Sequence, residues 1–257
     1  MKSTKPLIHP ALLVILVLLS VALFGFSIYK LTSLGAEYQE GEEVYDAIAQ
    51  YVEIPDPKAP PPPEQKTEET SWPEVDFAAL RAVNPEVVAW LICEGTQLNY
   101  PLVQGNDNAY YLKHLFDGTW NSAGCLFVDC GNTPGFLDQN TVVYGHNMKN
   151  KSMFSILTEY KSQEFYDAHP RMLLLTPDQN FRIELFAGYV AGTGDNAWQL
   201  SFASKSEFGD WIEATREKSL FQSNVEVEVS DRLITLSTCS YEFDDARYIL
   251  IGKLSGY

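Results

Sequence analysis

The chain has 257 residues, enough for one domain with a full core plus terminal segments. Its 34 acidic against 18 basic side chains give a formal net charge of -16, which excludes the basic footprint of a nucleic-acid partner. A 46% hydrophobic fraction excludes disorder as a description of the whole.

Residues Ala11 to Tyr29, ALLVILVLLSVALFGFSIY, carry no charge and at 1.5 Å per residue reach across a ~30 Å hydrocarbon core. The run predicts a membrane anchor; the alternative is a cleaved signal peptide, whose apolar region is normally shorter and ends at small residues. Lys2 and Lys5 precede the span while Glu37, Glu40, Glu42 and Glu43 follow it, which favours a cytoplasmic N-terminus and an extracellular remainder. Residues 1–35 are therefore read as cytoplasmic tip and transmembrane anchor. Over 36–71 comes a juxtamembrane segment, with Val44, Ile48 and Tyr51 on one helical face, followed by a Pro-rich spacer, IPDPKAPPPPEQKTEET. The catalytic domain is assigned to 72–257, opening with a short helix capped by Asp76 that ends before Asn84-Pro85.

Within that domain about eight strands are expected: Gln97–Gln104, Gly124–Asp129, Thr141–Gly145, Met172–Thr176, Phe181–Tyr189, Val225–Val229, Leu233–Cys239 and Arg247–Leu254. FRIELFAGY and VEVEV alternate apolar with polar, the period of a half-buried strand. Many short strands point to a closed or nearly closed barrel. Ser204 and Glu207 form a capping box before a helix with Phe208, Trp211, Ile212 and Thr215 on one face, expected between the fifth and sixth strands.

Cys93, Cys125, Cys130 and Cys239 do not read as a disulfide framework. Cys125 and Cys130 point to opposite faces of one predicted strand and are expected to be buried small apolar residues. No spacing of metal ligands accompanies them, so no metal is expected. Cys239 ends the apolar run LITLSTC, and Arg247 opens RYILIGKL. If the two strands pair antiparallel around 240–246, thiol and guanidinium become neighbours; such a cation favours a thiolate and offers donors to an oxyanion. The competing reading is a buried cysteine and a surface arginine. His146 follows the strand TVVYG, where an imidazole at a strand mouth suits acid or base work; alone it reads equally as a loop or core histidine. The glycine before it is read as permitting an unusual turn. His9 precedes the anchor, His114 is placed in a predicted helix and His169 in a connection.

TLSTC with Arg247 opening the next strand, and VVYGHNM upstream, resemble the active-site set of sortases. NYPLVQGNDNAYYL, GNTPGFLDQNTVVYGHNMKNKSMF and the helix around Trp211 are similar to class B members, over Asp76 to Tyr257. The resemblance implies a mainly β fold, a closed eight-stranded barrel with N-terminal helices and one long helix between the sixth and seventh strands. It implies a cysteine transpeptidase held on the outer membrane face of a Gram-positive cell, acting without a cofactor. Cys239 would attack the threonine carbonyl of a C-terminal sorting motif in a secreted protein and form a thioacyl-enzyme. His146 would protonate the departing amine, Arg247 would hold the oxyanion, and a peptidoglycan amine would resolve the thioester. Tyr144, Ser237 and Asn99 fall at positions resembling the substrate groove. Tyr144 reads equally as a strand aromatic in the core, and Ser237 shares a strand face with Cys239 by the two-residue period. Asp244 and Asp245 read as a solvated acidic loop or as partners of Arg247. A pilin-polymerising sortase, whose acceptor is a lysine, and a tethered binding module without chemistry are the alternatives.

Overall fold

The computed structural model describes residues 10–55 and 72–256. Lys2, Lys5, His9 and most of the Pro-rich spacer lie outside the described residues. The chain divides into two compact units, Met1–Glu42 and Glu43–Tyr257.

The first unit consists of most of α1 (Pro10–Ala49), whose apolar side chains from Leu12 to Leu34 are exposed. It has the length and composition of a membrane span, a property that a signal sequence shares. Gly25 and Gly35 do not interrupt it, since a glycine inside a helix costs only about 1 kcal/mol relative to alanine.

In the second unit the end of α1 turns Tyr45 and Ile48 inward, rather than Val44 and Tyr51, which are only partly buried. Strand β1 (Val52–Glu53) pairs antiparallel with β2 (Glu74–Val75). Helix α2 (Phe77–Val83) starts where Asp76 accepts from the Ala79 amide at 2.9 Å and stops at Asn84, before Pro85.

The body is a closed barrel in the order β10-β8-β7-β3-β4-β5-β6-β9. Its strands are β3 (Val87–Ile92), β4 (Asn99–Val103), β5 (Leu126–Val128), β6 (Asn140–Tyr144), β7 (Arg171–Leu175), β8 (Asn180–Ala191), β9 (Leu233–Cys239) and β10 (Arg247–Gly256). Two pairings, β4 with β5 and β6 with β9, are parallel; the rest are antiparallel. A short helix, α3 (Gln163–Ala168), precedes β7.

Two strand expectations are corrected. VVAWLI becomes β3, nearly buried throughout between β4 and β7, so its sequence has no polar alternation to betray it. Val225–Val229 joins no ladder: Val225 and Val227 pack on the core while Glu226 and Glu228 are exposed. Carbonyls there accept from side chains instead, Val225 from Arg216 at 2.9 Å and Glu226 from Lys253 at 2.8 Å.

The missed β3 also shifted the expected place of α4 (Lys205–Lys218), which lies between the sixth and seventh barrel strands, β8 and β9, as the family resemblance implied. Ser204 Oγ accepts from the Glu207 amide at 3.1 Å, and Glu207 returns to the Ala203 amide at 2.9 Å rather than to that of Ser204. The buried face is Phe208, Trp211, Ile212 and Thr215, packed with Phe186, Ala187, Ile249 and Ile251. Burying each large apolar side chain contributes about 1.5–3 kcal/mol, which fixes α4 against the barrel wall.

Candidate active site

The ends of three strands build the site. Arg247, first in β10, is the register partner of Cys239, last in β9, so the antiparallel hairpin sets guanidinium and thiol side by side. On the other flank β6 runs parallel to β9 with Tyr144 opposite Ser237. Two residues further along each strand direction come His146 and Cys239, and each side chain is the leading influence on the ionisation of the other. With the strand period of two, Tyr144 lies on the face of His146 and Ser237 on that of Cys239.

Gly145 carries His146 in, and the reason for glycine is space, not the unusual turn expected. Its backbone is outside the left-handed region, but a Cβ would meet Leu126 Cδ2 at 2.3 Å and Phe154 Cδ2 at 2.6 Å. Its amide donates to the Ser237 carbonyl at 3.1 Å, and its carbonyl accepts from Thr238 Oγ1 at 2.8 Å. Beyond it, Asn147 Nδ2 donates to the Cys239 carbonyl at 2.9 Å, tying the two strand ends together.

The imidazole is oriented from the far side, where Nε2 lies 2.7 Å from the Leu112 carbonyl. A carbonyl only accepts, so Nε2 carries a proton and Nδ1 is the nitrogen left to exchange one with the thiol. His146 holds the Cys239 thiol below its ordinary range; partial burial opposes this and the Arg247 charge adds to it. Cys239 raises His146 despite burial, and the Leu112 carbonyl raises it further. Both shifts run in the direction that favours a thiolate beside an imidazolium. Arg247 Nη1 donates to the Ala246 carbonyl at 3.0 Å, and no ion pair engages the guanidinium among the described residues. Asp244 and Asp245 are exposed and do not pair with it.

Ser237 Oγ accepts from Trp198 Nε1 at 3.0 Å. Tyr144 donates to Asp129 Oδ2 at 2.8 Å, an oxygen that also accepts from Asn108 Nδ2 at 2.9 Å. Burial and the Asp129 carboxylate push the Tyr144 phenol well above its usual range, so it remains a donor. Asn99, first in β4, accepts on its Oδ1 from Trp90 Nε1 at 2.6 Å. Leu112, Asn147, Asp129 and Trp198 were not singled out from the sequence. Leu112 acts on the site through its backbone carbonyl, which leaves no side-chain signature, whereas Asn147 acts through its side-chain amide on a carbonyl distant in the chain.

The other thiols differ. Cys125 is buried as expected and Cys93 is buried too, but Cys130 is exposed, because β5 ends at Val128 and releases it into a turn. All four cysteines are free. His114 is not helical: it follows a single 3-10 turn and bridges to Trp120. Among the described residues no cluster of potential metal ligands occurs.

No family model matches the chain. Sortase B of Listeria monocytogenes is 38% identical over 177 residues, covering 68% of this chain and 72% of that protein. A sortase B–substrate complex from Staphylococcus aureus superposes with a TM-score of 0.67 at 32% identity, over 70% of this chain and 84% of that one. Sortase B from Bacillus anthracis, solved in complex with AAEK1, gives 0.72 at 29% identity, over 86% of this chain and 99% of the other.

Proposed function

This chain belongs to the class B sortases, a family of cysteine transpeptidases, and on that premise we propose that it cleaves a C-terminal sorting motif of secreted proteins after threonine and transfers the acyl group to a peptidoglycan amine. One observation carries the assignment of roles: Cys239 has a proton-exchanging imidazole on its parallel neighbour and an unpaired guanidinium on its antiparallel neighbour.

In this reading the Cys239 thiolate attacks the scissile carbonyl, and the guanidinium nitrogens of Arg247 not given to Ala246 receive the developing oxyanion. His146 gives its Nδ1 proton to the departing amine, leaving a thioacyl-enzyme. The incoming amine then attacks the thioester, His146 takes its proton, and a new amide bond replaces the one broken. Activation is conserved through the thioester, so no energy cofactor enters. Tyr144 and Ser237, on the faces of His146 and Cys239, are proposed to line the substrate path. Helix α1 would hold the enzyme at the membrane, with the barrel on the outer side.

Intact-protein mass spectrometry of the full chain in detergent, mixed with threonine-containing sorting peptides, tests this directly. The expected result is an acyl adduct on Cys239 that triglycine converts to an amide product. Cleavage that persists in Cys239→Ala would refute it.

A further inference from the structure

The hairpin between β9 and β10 begins at Cys239 and ends at Arg247. Its neck is closed by the Ser240 amide donating to the Ala246 carbonyl at 2.9 Å. Beyond the neck, Tyr241 to Asp245 are exposed, with Tyr241 at 76% and Asp245 at a φ of 61°. A loop of this kind, left to itself, samples many conformations and passes that freedom to the two residues at its base.

It is not left to itself. Lys161 ends the 3-10 segment Phe154–Lys161 and reaches across to the loop. Its Nζ donates to Ser240 Oγ at 3.1 Å and pairs with Glu242 Oε1. Ser240 Oγ in turn donates to Glu242 Oε2 at 2.5 Å, which closes the triangle. The ammonium sits 5.5 Å above the Tyr248 ring, and Ser240 is only 4% exposed. Lys161, followed by Ser240, brings the Glu242 carboxyl down to about 2, so it stays charged and paired. At the opposite end of the same 3-10 segment, the Phe154 amide donates to the His146 carbonyl at 2.9 Å. One short segment therefore touches the histidine connection at its start and the cysteine–arginine loop at its end.

We propose that Lys161 is a positioning residue for the transfer reaction, pinning the loop 240–246 through Ser240 and Glu242 so that Cys239 and Arg247 keep their mutual geometry. The proposal rests on the roles given above to Cys239 and Arg247. An exposed ion pair contributes little to global stability, so the signature belongs in turnover and not in melting.

A double-mutant cycle on the full chain in detergent tests this, using a peptide the parent cleaves. Lys161→Met keeps the aliphatic stem on Tyr248 and removes the charge; Glu242→Gln removes the partner from an exposed loop and leaves the fold untouched. Each single variant should lose about tenfold or more in kcat with KM within about twofold, and the double variant should be no worse than the poorer single one. Limited proteolysis within 241–245 should accelerate in both singles. Parental kcat in Lys161→Met or in Glu242→Gln, or losses that multiply in the double variant, would overturn the proposal while Cys239→Ala stays inactive. Cleavage that survives Cys239→Ala would instead overturn the site assignment beneath it.

Discussion

Two thiols in this molecule have opposite characters although each faces a proton-bearing side chain. Cys125, just ahead of β5, is buried against Tyr45, and desolvation pushes it up to about 12, where it stays a thiol. Tyr45, whose hydroxyl also donates to the Gly124 carbonyl at 2.6 Å, and the Leu126 backbone lower it by less than burial raises it. Cys239, half-buried at the open end of the barrel, is lowered by His146 and Arg247. Burial alone makes a cysteine a small apolar residue, whereas a cation and an imidazole at a strand mouth make it a nucleophile.

The sharpest way to break that contrast is to remove the cation. Arg247→Ala and Arg247→Lys in the full chain should both lose on the order of 10² to 10³ in kcat/KM, since a single ammonium does not reproduce the directed donors of the planar fork. Lysine restoring most of the activity would mean that Arg247 works through charge alone. At the other thiol, Cys125→Ala should leave kcat/KM unchanged and lower stability by about 1–3 kcal/mol, read by chemical denaturation; loss of turnover with an intact fold would implicate the wrong cysteine. Cys130→Ser, at an exposed turn, should change stability by no more than about 0.5 kcal/mol.

The sequence made local arrangements legible and long-range ones invisible. The pairing of Cys239 with Arg247 could be read because two apolar runs flank a single loop, and α4 because its cap and its apolar face lie in one window. The adjacency of His146 to Cys239 rests on the parallel β6–β9 pairing, whose partners lie far apart in the chain and carry no local mark; only the family resemblance suggested it. VVAWLI was missed because both its faces are covered, which erases alternation. VEVEV was over-read for the converse reason: alternate burial does not require a ladder, and here Arg216 and Lys253 take the carbonyls that a neighbouring strand would have used.

The central claim is that His146, brought in by the parallel strand pair, sets the reactivity of Cys239. Its most direct test is the rate of Cys239 alkylation against pH in the full chain, in the parent and in His146→Ala. His146 is the leading cause of the lowered thiol, so the parent should reach half-maximal rate below the ordinary free-cysteine value of about 8.5, and His146→Ala should move that midpoint upward. Superimposable profiles in the two proteins would contradict the account.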